Sequence, residues 1–211
     1  MTTISIAIMS HPSRSASAEK LLREVSAMSF IEPSIVYDER NNEWDTGSRS
    51  LRYGVGKADW HVVIQDDAIL TPGFYDNVLA ATESVPTKSI ISLYVGTARP
   101  FGDRVKQAVD KAKYATWLSH MLLLWGVGIV IPSDHIEPML DFVADRDEPY
   151  DTRIGIFYQR NMIPVYYTMP SLVDHDDDLG SLLDHGNGEA RRVAHRLATG
   201  PIRFNKQVIQ I

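Results

Sequence analysis

The chain reads as a single α/β domain with a mostly parallel central sheet flanked by helices. Three observations predict it. The run Trp60-His61-Val62-Val63-Ile64 has no polar alternation, as in a strand covered on both faces in the middle of a sheet. Strand-like and helix-like patterns alternate through the first half, an order that favours parallel strands joined by right-handed crossovers. The length of 211 residues suits one domain with a full core and is short for two.

The elements follow in order. Ile4 to Ile8 forms the first strand, closed by Ser10-His11-Pro12-Ser13-Arg14. Ser15 or Ser17 is placed to cap a helix whose apolar positions Leu21, Leu22, Val25 and Met28 recur at helical spacing. Pro33 to Tyr37 is a second strand, Asp38 to Gly47 a polar turn, and Ser48 to Lys57 a helix before the third strand. Thr71-Pro72-Gly73 opens another helix, with threonine as cap and proline at the first helical position. Ile90 to Tyr94 is a fourth strand. The second half is expected to hold a basic helix over Arg104 to Thr116 and a strand at Ile129 to Ile131. A helix capped by Ser133 then runs through Phe142, followed by a helix over Tyr150 to Arg160 and a strand at Val165 to Tyr167. From Pro170 onward the pattern is loop, short helix and tail.

Composition narrows the class. Hydrophobic residues at 44% and charged residues at 23% are ordinary for a globular protein. The longest apolar run, Met121 to Ile131, is broken by Gly126 and Gly128, so no membrane span is expected. The chain opens on a strand without a signal-type segment and has no cysteine, which excludes disulfides and thiolate chemistry and fits a cytoplasmic setting. No obligate protein partner is evident. A formal charge of −6 argues against a dedicated nucleic-acid binder. Basic residues nevertheless gather over 99–113 (Arg99, Arg104, Lys106, Lys111, Lys113) and over 191–206 (Arg191, Arg192, Arg196, Arg203, Lys206). They read as solvated faces, with a nucleic-acid contact as the alternative.

Chemistry concentrates at Gln65-Asp66-Asp67, the exit of the third strand. Ligands of open α/β sheets bind beyond the strand C-termini, and adjacent like charges there call for a cation or donors. A hard divalent ion and the phosphates it neutralises would sit there, although a polar loop exit explains such a pair as well. Asp151 begins a predicted helix, where the helix dipole favours a carboxylate; a general base is the functional alternative. His175 lies among Asp174, Asp176, Asp177 and Asp178, either an acidic surface loop or the imidazole share of a mixed oxygen–nitrogen site. Arg14, Arg49, Arg52 and Lys57 fall near the first two crossovers, where a guanidinium can grip a diphosphate. Gly126-Val127-Gly128 lacks the spacing of a dinucleotide loop, and there is no P-loop and no serine elbow.

From Ile4 to about His185 the chain resembles the GT-A glycosyltransferases, in particular small bacterial and bacteriophage members. The resemblance rests on Gly47, Leu51-Arg52-Tyr53-Gly54, Ala58-Asp59-Trp60 and Ile64-Gln65-Asp66-Asp67, continued by Ala68-Ile69-Leu70-Thr71-Pro72-Gly73-Phe74. It departs from the family in having glutamine where the acidic motif has its first acid, and Tyr150 where many members place a second acid.

The resemblance implies a Rossmann-like GT-A domain: 1–95 for the nucleotide-sugar half, 96–185 for the acceptor side and 186–211 as tail. It implies that Asp67 and His175 hold Mn2+ or Mg2+ and that Asp66 faces the ribose or supports the metal. Ser10, His11 and Arg14 would border the nucleotide, Asp38 would address the base, and Arg52 would join the donor site. Asp151 would be the base of an inverting transfer. The implied donor is a UDP-sugar such as UDP-glucose. The implied acceptor is a glycan, a protein side chain or a hydroxylated DNA base, in the host cytoplasm if the chain is phage-encoded. A metal-dependent nucleotidyltransferase and a non-catalytic carbohydrate-binding or structural protein are the alternatives.

Overall fold

The structure, a computed structural model, describes residues 2–98, 100–180 and 191–211. Its strands are β1 (Ile4–Ser10), β2 (Ser34–Tyr37), β3 (Trp60–Gln65), β4 (Ala68–Leu70), β5 (Ile91–Ser92), β6 (Trp117–His120), β7 (Gly128–Pro132), β8 (Val165–Thr168), β9 (Val173–His175) and β10 (Val208–Gln210). Its helices are α1 (Ser15–Ser26), α2 (Glu43–Arg52), α3 (Phe74–Ser84), α4 (Gly102–Lys111), α5 (Ser133–Phe142) and α6 (Tyr150–Arg160). An eight-stranded sheet runs β10-β6-β8-β5-β7-β3-β1-β2, and β4 pairs with β9 in a separate two-stranded sheet.

The architecture is α/β with a central sheet flanked by helices, as expected, but the sheet is mixed rather than mostly parallel. β1 pairs parallel with both β2 and β3, whereas β7 enters antiparallel between β3 and β5, and β6 is antiparallel to β8. The reversal has a local cause. The chain reaches β7 at the C-terminal end of β3, where Gln65 N–H donates to the Val127 carbonyl, so β7 can only run back. Every residue of β7 is buried, and a strand covered on both faces shows the same apolar run in either direction.

Helix starts differ for equally local reasons. α2 begins at Glu43 rather than Ser48, because the Asn42 side chain accepts the Asp45 N–H and caps the first turn. Neither Ser15 nor Ser17 caps α1; His11 instead caps the single 3-10 turn Pro12–Arg14 that precedes it. α3 begins at Phe74, since the Thr71 hydroxyl is committed to the Leu172 carbonyl at 2.8 Å. Ser133 is the first residue of α5 and makes no capping bond. Beyond Pro170, where loop, short helix and tail were expected, the described residues form β9, the 3-10 turn Asp177–Leu179 and β10; Arg99 and positions 181–190 lie outside the described residues. No helix among the described residues is long and apolar enough to cross a membrane.

All of β1 and most of β3 are buried, and the core spreads along the sheet through Val62, Val63, Ile64, Ile129, Val130 and Tyr167. Several polar groups are buried with it, His61 the largest of those at full burial. His61 is 0% exposed, with Nδ1 2.8 Å from Ser5 Oγ and Nε2 2.9 Å from the Ser50 carbonyl, tying α2 to β1 and β3. Burial pushes its pKa from 6.5 down to about 4. The folded protein therefore binds fewer protons here than the unfolded chain between those values, and stability falls as pH drops through that window. The drop amounts to about 3 kcal/mol once complete. Urea midpoints measured from pH 7 to 4 should show this slope in the parent and lose it in His61→Asn, whose baseline stability is lower.

Candidate active site at the strand ends

Parallel β1, β2 and β3 deliver their C-termini to one edge, so the loops after Ser10, Tyr37 and Gln65 meet there. Asp66 is the most constrained residue of the edge. Its Oδ2 accepts the Ser10 hydroxyl at 3.0 Å and the His11 N–H at 2.8 Å, and its Oδ1 accepts Arg14 Nη1 at 3.0 Å. With donors on both oxygens and 6% exposure, it faces the protein and holds the β1 exit in place. The resemblance implies that Asp66 faces the ribose or supports the metal; both of its oxygens here accept donors from the protein itself.

Asp67 is arranged differently. Oδ2 accepts the same Arg14 Nη1 at 2.9 Å and lies 3.4 Å from His175 Nε2. Oδ1 is buried and has no hydrogen-bond partner among the described residues, and the same holds for His175 Nδ1. Burial pushes the Asp67 carboxyl up, but its contacts with His175 and Arg14 outweigh that and hold it below the ordinary 3.8. Histidine 175 arrives there because β9 pairs antiparallel with β4, setting His175 opposite Ala68. The Asp176 N–H then donates to the Asp67 carbonyl at 2.7 Å.

Arg14 completes the group. Its guanidinium is 8% exposed, bridges both carboxylates through Nη1 and donates from Nη2 to the Gly180 carbonyl. Burial opposes its charge, but the two aspartates overcome this and raise its pKa. Buried charges of this kind are tolerated when paired and hydrogen-bonded, and removing one partner strands the other.

The other expected residues separate. Ser10 and His11 line the edge, although the Ser10 hydroxyl is turned to Asp66 and His11 Nδ1 is 2.8 Å from Ser13 Oγ. Asp38 follows β2 and accepts the N–H groups of Arg40 and Asn42. These bonds outweigh its burial and hold its carboxyl low. Arg52 shares a cavity with Arg40 and Asn42, whose N–H groups donate to Asp38. Arg52 ends α2, roughly 14 Å from the start of that helix, and the cavity, of about 350 Å³, is also lined by Trp44, Leu140 and Ala144. Of the basic stretches, Arg192 pairs with Asp177 at 3.3 Å and Arg196 donates to the carbonyls of Val109, in the last turn of α4, and Ala112, just past its end.

Asp151 sits in the first turn of α6, placed by a packed tyrosine. The Tyr150 ring lies on Gly47 and Gly126. A Cβ on Gly47 would fall 2.3 Å from it, and one on Gly126 would fall 3.1 Å from the ring and 3.6 Å from Asp151 Cβ. Gly126 immediately precedes Val127, the partner of Gln65, so the start of α6 lies beside the end of β3, and Asp151 Oδ1 there accepts the Thr152 N–H at 2.7 Å. The sequence reading overlooked Glu43. This residue opens α2, its carboxylate accepts the Tyr150 N–H, and it feels the charge of Asp151. Burial first, and Asp151 second, raise its pKa above the ordinary 4.5. The signal for it was Asn42 as a cap, which would have brought Glu43 into the helix start.

Among the described residues no group of three or more His, Cys, Asp or Glu side chains is poised to hold a metal ion. Asp67 and His175 have the chemistry of a ligand pair, oxygen plus imidazole, and the 3.4 Å between Asp67 Oδ2 and His175 Nε2 is a separation that one ion could span, although Arg14 also holds that oxygen.

No protein family model matches this chain, and no curated protein does. Among solved structures, it is similar to one described as the crystal structure of a glycosyltransferase involved in the glycosylation of the major capsid of PBCV-1. Identity is 11% over 78% of this chain and 80% of that one, with a TM-score of 0.47. A likeness of that size carries no functional argument.

The raised Glu43 carboxyl supplies a test of the site's electrostatics. The folded state holds this proton more tightly than the unfolded chain, so ionisation above pH 4.5 destabilises the fold. Glu43→Gln should raise Tm at pH 7, and the gain should vanish near pH 4. An equal gain at both pH values would mean that charge is not its source.

Proposed function

We propose that this chain is a glycosyltransferase that moves a sugar from a nucleoside-diphosphate donor to an acceptor hydroxyl. The observation that carries the reading is the meeting of Arg14, Asp67 and His175 at the edge where β1 and β3 end, with Asp67 Oδ1 and His175 Nδ1 buried and without described partners. The acidic run into Thr71-Pro72-Gly73, similar to that of GT-A enzymes, supports it.

In this reading Asp67 and His175 hold a divalent cation, Mn2+ or Mg2+, which when bound neutralises charge on the donor's phosphates. Asp66 does not touch the donor; it anchors Ser10, His11 and Arg14. Arg14 places a fixed positive charge beneath the diphosphate, where charge builds as the leaving group departs. His11 and Asp38 border the nucleoside, and a UDP-sugar, UDP-glucose first, is the donor to test. Asp151 takes the proton from the acceptor hydroxyl. The hydroxyl oxygen bonds to the anomeric carbon while the bond to the diphosphate oxygen breaks, that oxygen keeping the electron pair. A single displacement inverts the anomeric centre.

The test is nucleotide binding with and without metal. UDP plus MnCl2 at a hundredfold excess over Kd should raise Tm by about 5 °C or more. Asp67→Ala should keep the fold and lose most of this shift. A nucleotide shift of full size in that variant, or none in the parent with any nucleotide sugar, would sink the reading.

A further inference from the structure

Arg14 is fixed to Asp66 independently of Asp67. Asp66 cannot turn away, since Ser10 and the His11 N–H occupy its other oxygen, and the Arg14 Nη2 is engaged at Gly180. The guanidinium stands 2.9 Å from Asp67 Oδ2, the oxygen that faces His175. A cation entering between Asp67 and His175 meets that positive charge at close range, in a place shielded from water, where repulsion is strong. Arg14, Asp66 and Asp67 together retain a single net negative charge. That is little to draw in a bare divalent ion, and among the described residues Asp67 and His175 are the side chains placed to hold it, where such ions take about six ligands. A diphosphate reverses both deficits, bringing oxygen ligands and negative charge that Arg14 attracts.

We propose that Arg14 is a built-in counter-cation that competes with the divalent ion for Asp67, so that the ion enters together with the donor's diphosphate and not alone. This rests on the reading of the edge as a diphosphate–metal site. Linkage makes the effect reciprocal: whatever the diphosphate adds to ion affinity, the ion adds to diphosphate affinity.

Free Mn2+, followed by its electron paramagnetic resonance signal, gives ion affinity without any activity measurement. For the parent protein, UDP should tighten Mn2+ binding by about tenfold or more. Arg14→Gln without nucleotide should bind Mn2+ about tenfold more tightly than the parent, while its affinity for UDP falls. Arg14→Lys, which keeps the charge, should stay near the parent. Arg14→Gln leaves two buried aspartates uncompensated; should it fail to fold, Arg14→Gln/Asp66→Asn restores the parent's local net charge and should still bind Mn2+ more tightly. Ion binding by the folded variant no tighter than the parent's overturns the competition. If the parent nevertheless binds Mn2+ with UDP, the proposed function survives that failure. If the parent takes up no Mn2+ even with UDP, both fall.

Discussion

Asp66 brings a carboxylate to a position almost closed to water, and a single stretch of chain, Ser10 to Arg14, supplies a hydroxyl, a backbone N–H and a guanidinium to meet it. A buried carboxylate without such partners would be strongly destabilising, so the contact is an all-or-nothing constraint. It extends the pairing of β1 with β3 one step beyond the last register pair, Met9 with Gln65. It also determines where Arg14 points, and because the same nitrogen reaches Asp67, the orientation of the second carboxylate follows from the first.

A second constraint works from the other end of the chain. Thr71 gives both its N–H and its hydroxyl to the Leu172 carbonyl, next to the three-residue pairing of β4 with β9. These bonds join segments about a hundred residues apart, as the 2.8 Å Thr71–Leu172 bond shows, and they hold His175 against Asp67. Such short strands form only because tertiary packing supplies what local preference does not.

That distinction separates what could be read from the sequence from what could not. β1, β3, α1 and α6 were legible because long periodic or unbroken apolar patterns encode burial directly. The direction of β7 was not, since burial on both faces looks alike in either orientation. β4 and β9 were too short to carry a pattern. Within the site, the aspartate pair was visible as charge at a strand exit, and the resemblance brought His175 to it. The inward turn of Asp66 and the bridging of Arg14 across a separation of 52 residues depend on geometry that no local spacing records. Glu43 was missed because a polar turn was read where Asn42 caps a helix.

The two sides of the edge now differ in electrostatic character. On the β1 side, a buried guanidinium already neutralises much of the aspartate charge, and one carboxylate oxygen remains without a described partner. On the α6 side, Glu43 and Asp151 crowd negative charge around the start of one helix, and burial makes ionisation of Glu43 unfavourable. A phosphate-bearing leaving group and a hydroxyl that must lose a proton make opposite demands: the first needs fixed positive charge, the second a carboxylate basic enough to accept the proton. Tyr150 fixes the spacing between these sides, because its ring is held against Gly47 and Gly126 with no room for a Cβ at Gly47. The proposed transfer would assign departure to the first side and deprotonation to the second, and so draws on residues that also pack the fold.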